Sequence, residues 1–409
     1  MRGYLEFIPS TGHIIKLYDR GTSPLSIQIS IMVSREGPGA APNHRSLTFA
    51  KTLEGALPGS SKPTRTVGLN ILLVGAAGHK VTIYEQTPVL GEVGAGIQIP
   101  SNSTRILFEL GLEPYLKPYV TSPESISFRR WQNRTVIGKT RLVPDFIDNF
   151  HAPYYVIHRA DFHSALCRKA KDMVVNYDPR LGSITLEDGT SHTGDLVVAA
   201  DGIKSVARKV VLNGEEMPFL KPGFAAYRAV VDVNRMIGDS RHVMTYTIGA
   251  GKAFNTVLSH RDTSDPATWD VRTGLQDMKV EFQGWDPVLT KIIGMVEKTL
   301  KWPLMSGAAM AVEDGVALAR SLSHMRSREQ LSEALAIFEK VRIVRTSQMQ
   351  EASLLNGQLW RFADGPLQEA RDAAMAREVE GLPFSQSPNQ WSDPATQMWC
   401  YGYETEGEN

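Results

Sequence analysis

The stretch Leu69-Asn70-Ile71-Leu72-Leu73-Val74-Gly75-Ala76-Ala77-Gly78-His79-Lys80-Val81-Thr82-Ile83-Tyr84-Glu85 decides the fold class. Its first half is a short apolar run ending in glycine, the pattern of a parallel strand buried on both faces. Its second half reads as another strand, closed by an acidic residue. This is the frame of a dinucleotide-binding unit, in which Glu85 would accept hydrogen bonds from an adenosine ribose. Two such strands are equally at home in an ordinary α/β core, so the frame takes its meaning from the rest of the chain.

Downstream, residues 183–190 read as a strand entering an Asp-Gly hairpin turn, and residues 196–200 as a buried strand running into Asp201-Gly202. Apolar residues recur every three to four positions over 159–171, 308–323 and 330–356, which predicts helices. Between Phe224 and Leu258 the β-branched and aromatic content rises, which predicts a second sheet. The class is α/β with a helical finish. Upstream, residues 1–68 carry one alternating stretch, Ser26 to Ile31, among Gly, Pro and Ser. They read as a loosely ordered extension set before the first domain.

Composition removes several function classes. Of the 409 residues, 42% are hydrophobic and 22% charged, enough for two cores and too apolar for disorder. Lys plus Arg and Asp plus Glu balance at 44 each, so no net field would draw the chain to nucleic acid. No run approaches the roughly 20 apolar residues of a membrane span, and no secretory leader is recognisable. Cys167 and Cys400 form no CxxC pair, which argues against a zinc site or a disulfide framework and for a reducing, cytoplasmic setting. The sequence sets no oligomeric state.

Further segments follow in a fixed order: Gly91-Glu92-Val93-Gly94-Ala95-Gly96-Ile97-Gln98-Ile99-Pro100 with Asn102 and Arg105, His158-Arg159-Ala160-Asp161, and Ala200-Asp201-Gly202 with Arg208. Beyond them come Tyr227-Arg228, Gly307-Ala308-Ala309 with Glu313-Asp314, and Ser387-Pro388-Asn389-Gln390-Trp391. The series resembles the single-component FAD-dependent aromatic hydroxylases, near the fungal salicylate hydroxylase-like branch, from Leu69 to the carboxyl end. The resemblance implies a Rossmann-like FAD-binding domain from residues 69–126, 151–218 and 301–345. A mixed-sheet substrate domain would come from 127–150 and 219–300, with a helical segment and tail at 346–409.

It further implies site residues. Gly94, Ala95 and Gly96 would let backbone approach the flavin, Arg159 would contact the cofactor, and Asp201 with Gly202 would bridge flavin and nicotinamide. Gly307 and Ala308 would open a helix whose free N–H groups face the flavin pyrimidine edge. Tyr227, Arg228 and Arg208 would serve the aromatic pocket. Each has an ordinary alternative: a tight turn, a helix cap, a small-residue packing face or, for Tyr227 and Arg228, a buried ring beside a solvated charge. Strand alternation lets at most one of Tyr227 and Arg228 reach the substrate, and the tyrosine is the expected one. The implied cofactors are FAD with NADH or NADPH, the implied partner a small aromatic molecule, and the reaction transfer of one oxygen atom from O2 to an electron-rich ring.

The chain departs from the family at three places. Only Ala76-Ala77-Gly78-His79 join the two opening strands, whereas a parallel crossover needs about a dozen or more residues. The pyrophosphate-cradling turn and its helix are therefore missing. After Trp302-Pro303-Leu304-Met305, Ser306 leads straight into Gly307, without the family's Gly-Asp segment, and a strand is lost near residues 173–176. The flanks stay in register, as a spliced-out block, an isoform or a decaying copy would each leave them. Three functions stay open: an active monooxygenase, a flavin-free remnant with a binding role, and another flavin oxidoreductase on the same scaffold.

Overall fold

A computed structural model describes residues 14–17, 28–33, 80–85, 96–172, 183–185, 191–193, 196–199, 224–229, 235–238, 241–264, 269, 272–297, 299–303 and 308–404. In chain order its strands are β1 (Ile14–Leu17), β2 (Gln28–Val33), β3 (Lys80–Glu85), β4 (Gly96–Ile99), β5 (Ser125–Arg130), β6 (Val136–Arg141), β7 (Tyr155–His158), β8 (Ser183–Thr185), β9 (Ser191–Thr193), β10 (Leu196–Ala199), β11 (Phe224–Ala229), β12 (Arg235–Gly238), β13 (Arg241–Ile248), β14 (Ala253–Arg261) and β15 (Leu300–Pro303). Its α-helices are α1 (Ser101–Glu109), α2 (Glu113–Leu116), α3 (Asp145–Phe150), α4 (Arg159–Asp172), α5 (Gly274–Glu281), α6 (Pro287–Gly294), α7 (Ala308–Ser323), α8 (Leu331–Trp360), α9 (Pro366–Ala374), α10 (Ala376–Glu380) and α11 (Pro394–Tyr401).

The strands sort into a four-stranded sheet ordered β1-β10-β2-β3, a seven-stranded sheet ordered β15-β11-β14-β13-β12-β5-β6, and the pairs β4-β7 and β8-β9. In the first, β10, β2 and β3 run parallel and β1 closes one edge antiparallel. The expectation of an extension outside the first domain is therefore corrected for residues 14–17 and 28–33, which are hydrogen-bonded into this sheet. The physical reason is pairing: β2 satisfies its backbone groups on both sides, with Val33 opposite Glu85 and Met32 opposite Ala199. The strand expected at 69–75 lies outside the described residues.

The large sheet is antiparallel except where β12 meets β5. Its longest pair, β13 and β14, turns through Gly249, Ala250 and Gly251, all with φ between 54° and 85°. Only glycine adopts such angles freely, so Ala250 carries some strain there. Strand β15 pairs with β11, which places residues 300–303 in the large sheet instead of the cofactor block expected to begin at 301. Helix α8 likewise runs unbroken across the boundary expected at 345.

Several clusters of apolar side chains hold these layers, two of which bear on the site. Leu107, Ile157, Phe162, Leu196, Val198 and Leu318 belong to the first, which joins α1, β7, α4, β10 and α7. The second joins Tyr227, Val243 and Leu258 of the large sheet to Met278, Phe282 and Leu289 of the α5–α6 segment. Helix α6 begins where it does because Asp286 accepts a hydrogen bond from the Val288 amide at 2.9 Å and Pro287 has no amide to leave unmet. The C-terminal segment docks on β6 through Glu378, which accepts from the Lys139 amide and Asn389 Nδ2, each at 2.9 Å, and from Ser387 Oγ. Among the described residues no helix is long and apolar enough to cross a membrane.

Candidate active site

Paired residues of an antiparallel sheet share a face, so the register of β11, β13 and β14 divides the large sheet into two surfaces. Tyr227, Leu258 and Val243 lie on the surface covered by α5 and α6. Met244, Tyr246 and Asn255 lie on the other, which receives the β4–β7 pair. Across this seam Asn255 Oδ1 accepts the Gly96 amide at 2.7 Å, Gln98 Nε2 approaches Met244 Sδ at 2.6 Å, and Tyr154 donates its hydroxyl to Gln98 Oε1 at 2.6 Å. Further along the same face His242 pairs with Ser259, Arg361 donates to Ser259 Oγ at 2.7 Å, and the His242 and Trp360 rings meet edge to face at 5.7 Å. Burial lowers the Arg361 guanidinium to about 10. This inner face combines planar rings, hydroxyls and a cation, which is the chemistry that holds and orients an oxygen-bearing aromatic molecule.

Of the expected cofactor residues, Gly96 and Arg159 lie side by side. Gly96 stands opposite His158 in the β4–β7 register, so Arg159, the exposed first residue of α4, begins beside the start of β4. Glu85 ends β3 level with Val33, and β10 ends at Ala199 one position lower on β2. Ligands of parallel α/β sheets bind at such carboxyl ends. Ala308 opens α7. Gly94, Ala95, Asp201, Gly202, Arg208 and Gly307 lie outside the described residues.

The expectation that Tyr227 lines the aromatic pocket is corrected. Its ring is 2% exposed, on the face turned away from β4, and stacks on His260 at 4.9 Å and 11°. Strand β11 is flanked on both sides, so the tyrosine packs in a core and not at a sheet edge. Position 228 pairs with Val257 and Leu300, on the opposite face. Beside Tyr227, Lys301 bonds Asp262, and the His260 ring nitrogen lies 3.6 Å from that carboxylate. Burial and the neighbouring Lys301 hold His260 down to about 4, against the pull of Asp262. Burial would raise Asp262, yet hydrogen bonds from Lys301 and Ser264 bring it to about 2. Burial and the carboxylates of Asp277, Glu281 and Asp262 push the Tyr227 phenol well above its ordinary range.

His242, Tyr246 and Asn255 escaped the sequence reading, which quoted Gln98 within a motif without giving it a role. The available signal was the alternation His242, Met244, Tyr246, Ile248 along one strand, which marks one face without saying what covers it. A second unforeseen feature is the ion cluster under α7. Glu313 accepts from Asn102 Nδ2 at 2.7 Å, Arg342 at 2.9 Å and Arg345 at 3.0 and 3.2 Å, and Asp314 accepts from Arg342 at 2.7 Å. Arg345 also donates to the Trp399 and Cys400 carbonyls at 2.8 Å and lies over the Tyr403 ring, which ties the C-terminal segment to α7 and α8.

Of the residues expected to hold FAD, Glu85, Gly96, Arg159 and Ala308 are among the described ones. Glu85 at the sheet's carboxyl edge suits a ribose. Strand β3 has as its parallel neighbour β2, from residues 28–33, and the connection between the two, residues 34–79, lies outside the described residues. The side of Gly96 where a Cβ would sit holds Tyr246, Asn255 and Ile248 at 2.6 to 2.8 Å, so packing alone already demands glycine there.

No protein-family model matches the chain. Among curated proteins it is 28% identical over 389 residues to the FAD-dependent monooxygenase OpS4 of Beauveria bassiana, covering 80% of this chain and 90% of that protein. It is also 28% identical over 379 residues to the 3-amino-4-hydroxybenzoate 2-monooxygenase PtnB3 of Streptomyces platensis, at 80% and 91% coverage. The first match is 389 positions long, whereas 80% of 409 residues is about 327, so about 60 of its positions face no residue of this chain. Among solved structures, Klebsiella pneumoniae HpxO complexed with FAD and uric acid matches with a TM-score of 0.64 at 18% identity, over 77% of this chain and 92% of that one. A salicylate hydroxylase substrate complex matches with a TM-score of 0.63 at 17% identity, over 93% and 96%. The fold is that of the FAD-dependent hydroxylases, and over four-fifths of its length the chain is similar in sequence to FAD-dependent aromatic monooxygenases.

Proposed function

We propose that the family activity exercised on this scaffold is hydroxylation of a phenolic acid or aromatic polyketide-type molecule. One atom of O2 would go to the ring and the other to water, at the expense of NADH or NADPH. The observation that carries this reading is the inner face of the large sheet, where Tyr246, His242 and Trp360 offer ring surfaces and Arg361 with Ser259 offers a cation and a hydroxyl. In this reading Arg361 and Ser259 receive the acidic oxygen of the ligand, the aromatic rings fix its plane, and the docked C-terminal segment keeps water out. Residues 69–126 and 151–218 with α7 form the cofactor side, and the large sheet forms the substrate side.

A second reading is favoured by the short link at 76–79 and by the alignment positions that have no counterpart here: this 409-residue chain binds FAD poorly and acts as a flavin-free remnant or isoform. One purification separates the two. Less than stoichiometric flavin in this chain, with stoichiometric flavin after a phosphate turn and helix are inserted between Val74 and Lys80, supports both the family activity and the defect. Full flavin retention by the unmodified chain refutes the defect. NAD(P)H oxidation in the repaired chain that no aromatic acid stimulates refutes hydroxylation.

A further inference from the structure

We infer that Asn255 is a positioning residue that sets how closely the start of β4 rides on the inner face of the substrate sheet. Asn255 is fully buried on β14, opposite Tyr246. Its Oδ1 accepts the Gly96 amide at 2.7 Å, while its Nδ2, equally buried, has no hydrogen-bond partner among the described residues. An unmet buried donor costs about 1–3 kcal/mol, and an apolar residue of like size would avoid that cost. The amide therefore gains its place through the one bond that it does make. That bond acts where there is no slack, because a Cβ on Gly96 would stand 2.8 Å from Asn255 Cβ, 2.8 Å from Ile248 and 2.6 Å from Tyr246. Further along β4 the seam continues through Gln98, which approaches Met244 Sδ and accepts from Tyr154. Thus the Asn255–Gly96 bond fixes the end of β4 that, on the reading proposed above, leads into the cofactor-facing loop, and the Gln98 contacts fix the other end.

The test is amide hydrogen exchange of the full chain, read at the 96–99 stretch, in the parent, Asn255→Leu and Asn255→Asp. It needs no bound cofactor, so its outcome is independent of whether the chain hydroxylates anything. Loss of the acceptor should speed exchange at Gly96 at least tenfold in Asn255→Leu while β11 and α7 keep the parent's protection. Asn255→Asp, which retains an acceptor oxygen at the same reach, should restore the parent's rate at Gly96. Unchanged exchange in Asn255→Leu overturns the inference. So does exchange that rises equally across β11 and α7, or an Asn255→Asp protein as fast as the leucine variant. Should Asn255→Leu fail to fold, Asn255→Ala takes its place in the same comparison.

Discussion

Replacing Glu313 by Gln removes one negative charge from the centre of a sealed cluster and leaves its shape intact. Glu313 and Arg342 are fully buried and Arg345 is 3% exposed, so water cannot take over the lost interaction. Four donor contacts of 2.7 to 3.2 Å converge on the carboxylate, and three of them come from guanidinium groups. After the change Asp314 is left to balance both arginines, and it meets Arg342 at 2.7 Å. Breaking a buried ion pair from one side costs about 3–5 kcal/mol. Because glutamine still accepts one hydrogen bond, the lower end, about 3 kcal/mol, is expected. At roughly 2 °C per kcal/mol for a body this large, the melting temperature should fall about 6 °C. Urea unfolding with an unchanged slope would give the energy directly. A double-mutant cycle with Arg345→Gln should return a coupling above about 1 kcal/mol. A loss below about 1 kcal/mol, the range of a surface pair, would show that the cluster is screened and refute the reasoning.

Tyr227→Phe should change stability by less than about 1 kcal/mol, since the ring and its stack on His260 survive, whereas Tyr227→Ala should cost about 3–5 kcal/mol in urea unfolding. A turnover that Tyr227→Phe abolishes without altering melting would instead put the hydroxyl at the substrate. The folded pKa of His260, about 4, lies below its ordinary 6.5, so the unfolded chain takes up a proton that the folded one refuses. Its contribution is therefore complete above pH 6.5 and drains away down to about pH 4; Asp262, lowered from 3.8 to about 2, extends the loss further into acid. Unfolding midpoints measured across this window should flatten in His260→Phe, and an identical slope would exclude His260 as the cause. Glu378→Ala takes the acceptor from the Lys139 amide and one partner each from Asn389 and Ser387, at about 1–3 kcal/mol, and limited proteolysis should then cut the segment after Glu380 sooner than in the parent.

The sequence by itself determined the elements whose signal is local. The helices over 159–172, 308–323 and 331–360 followed from apolar spacing, and the hairpin of β8 and β9 from an Asp-Gly turn between alternating residues. It also carried the resemblance to the FAD-dependent aromatic hydroxylases, because ordered motifs survive where local geometry demands particular residues. What it could not determine was which segment pairs with which, or which face of a strand is covered by what. Residues 28–33 read as an alternating stretch in an extension, and only the pairing partners on either side make them an inner strand. Tyr227 and position 228 are adjacent, and the sequence favoured the tyrosine for the pocket; the packing of α5 and α6 on one face of β11 decides that the tyrosine is core. His242, Tyr246 and Asn255 gain their meaning only when β4 lies across the other face. Periodicity and turn chemistry are encoded within a few residues, whereas faces and seams arise from contacts between residues more than a hundred positions apart, where chain entropy and burial, not local preference, select the arrangement.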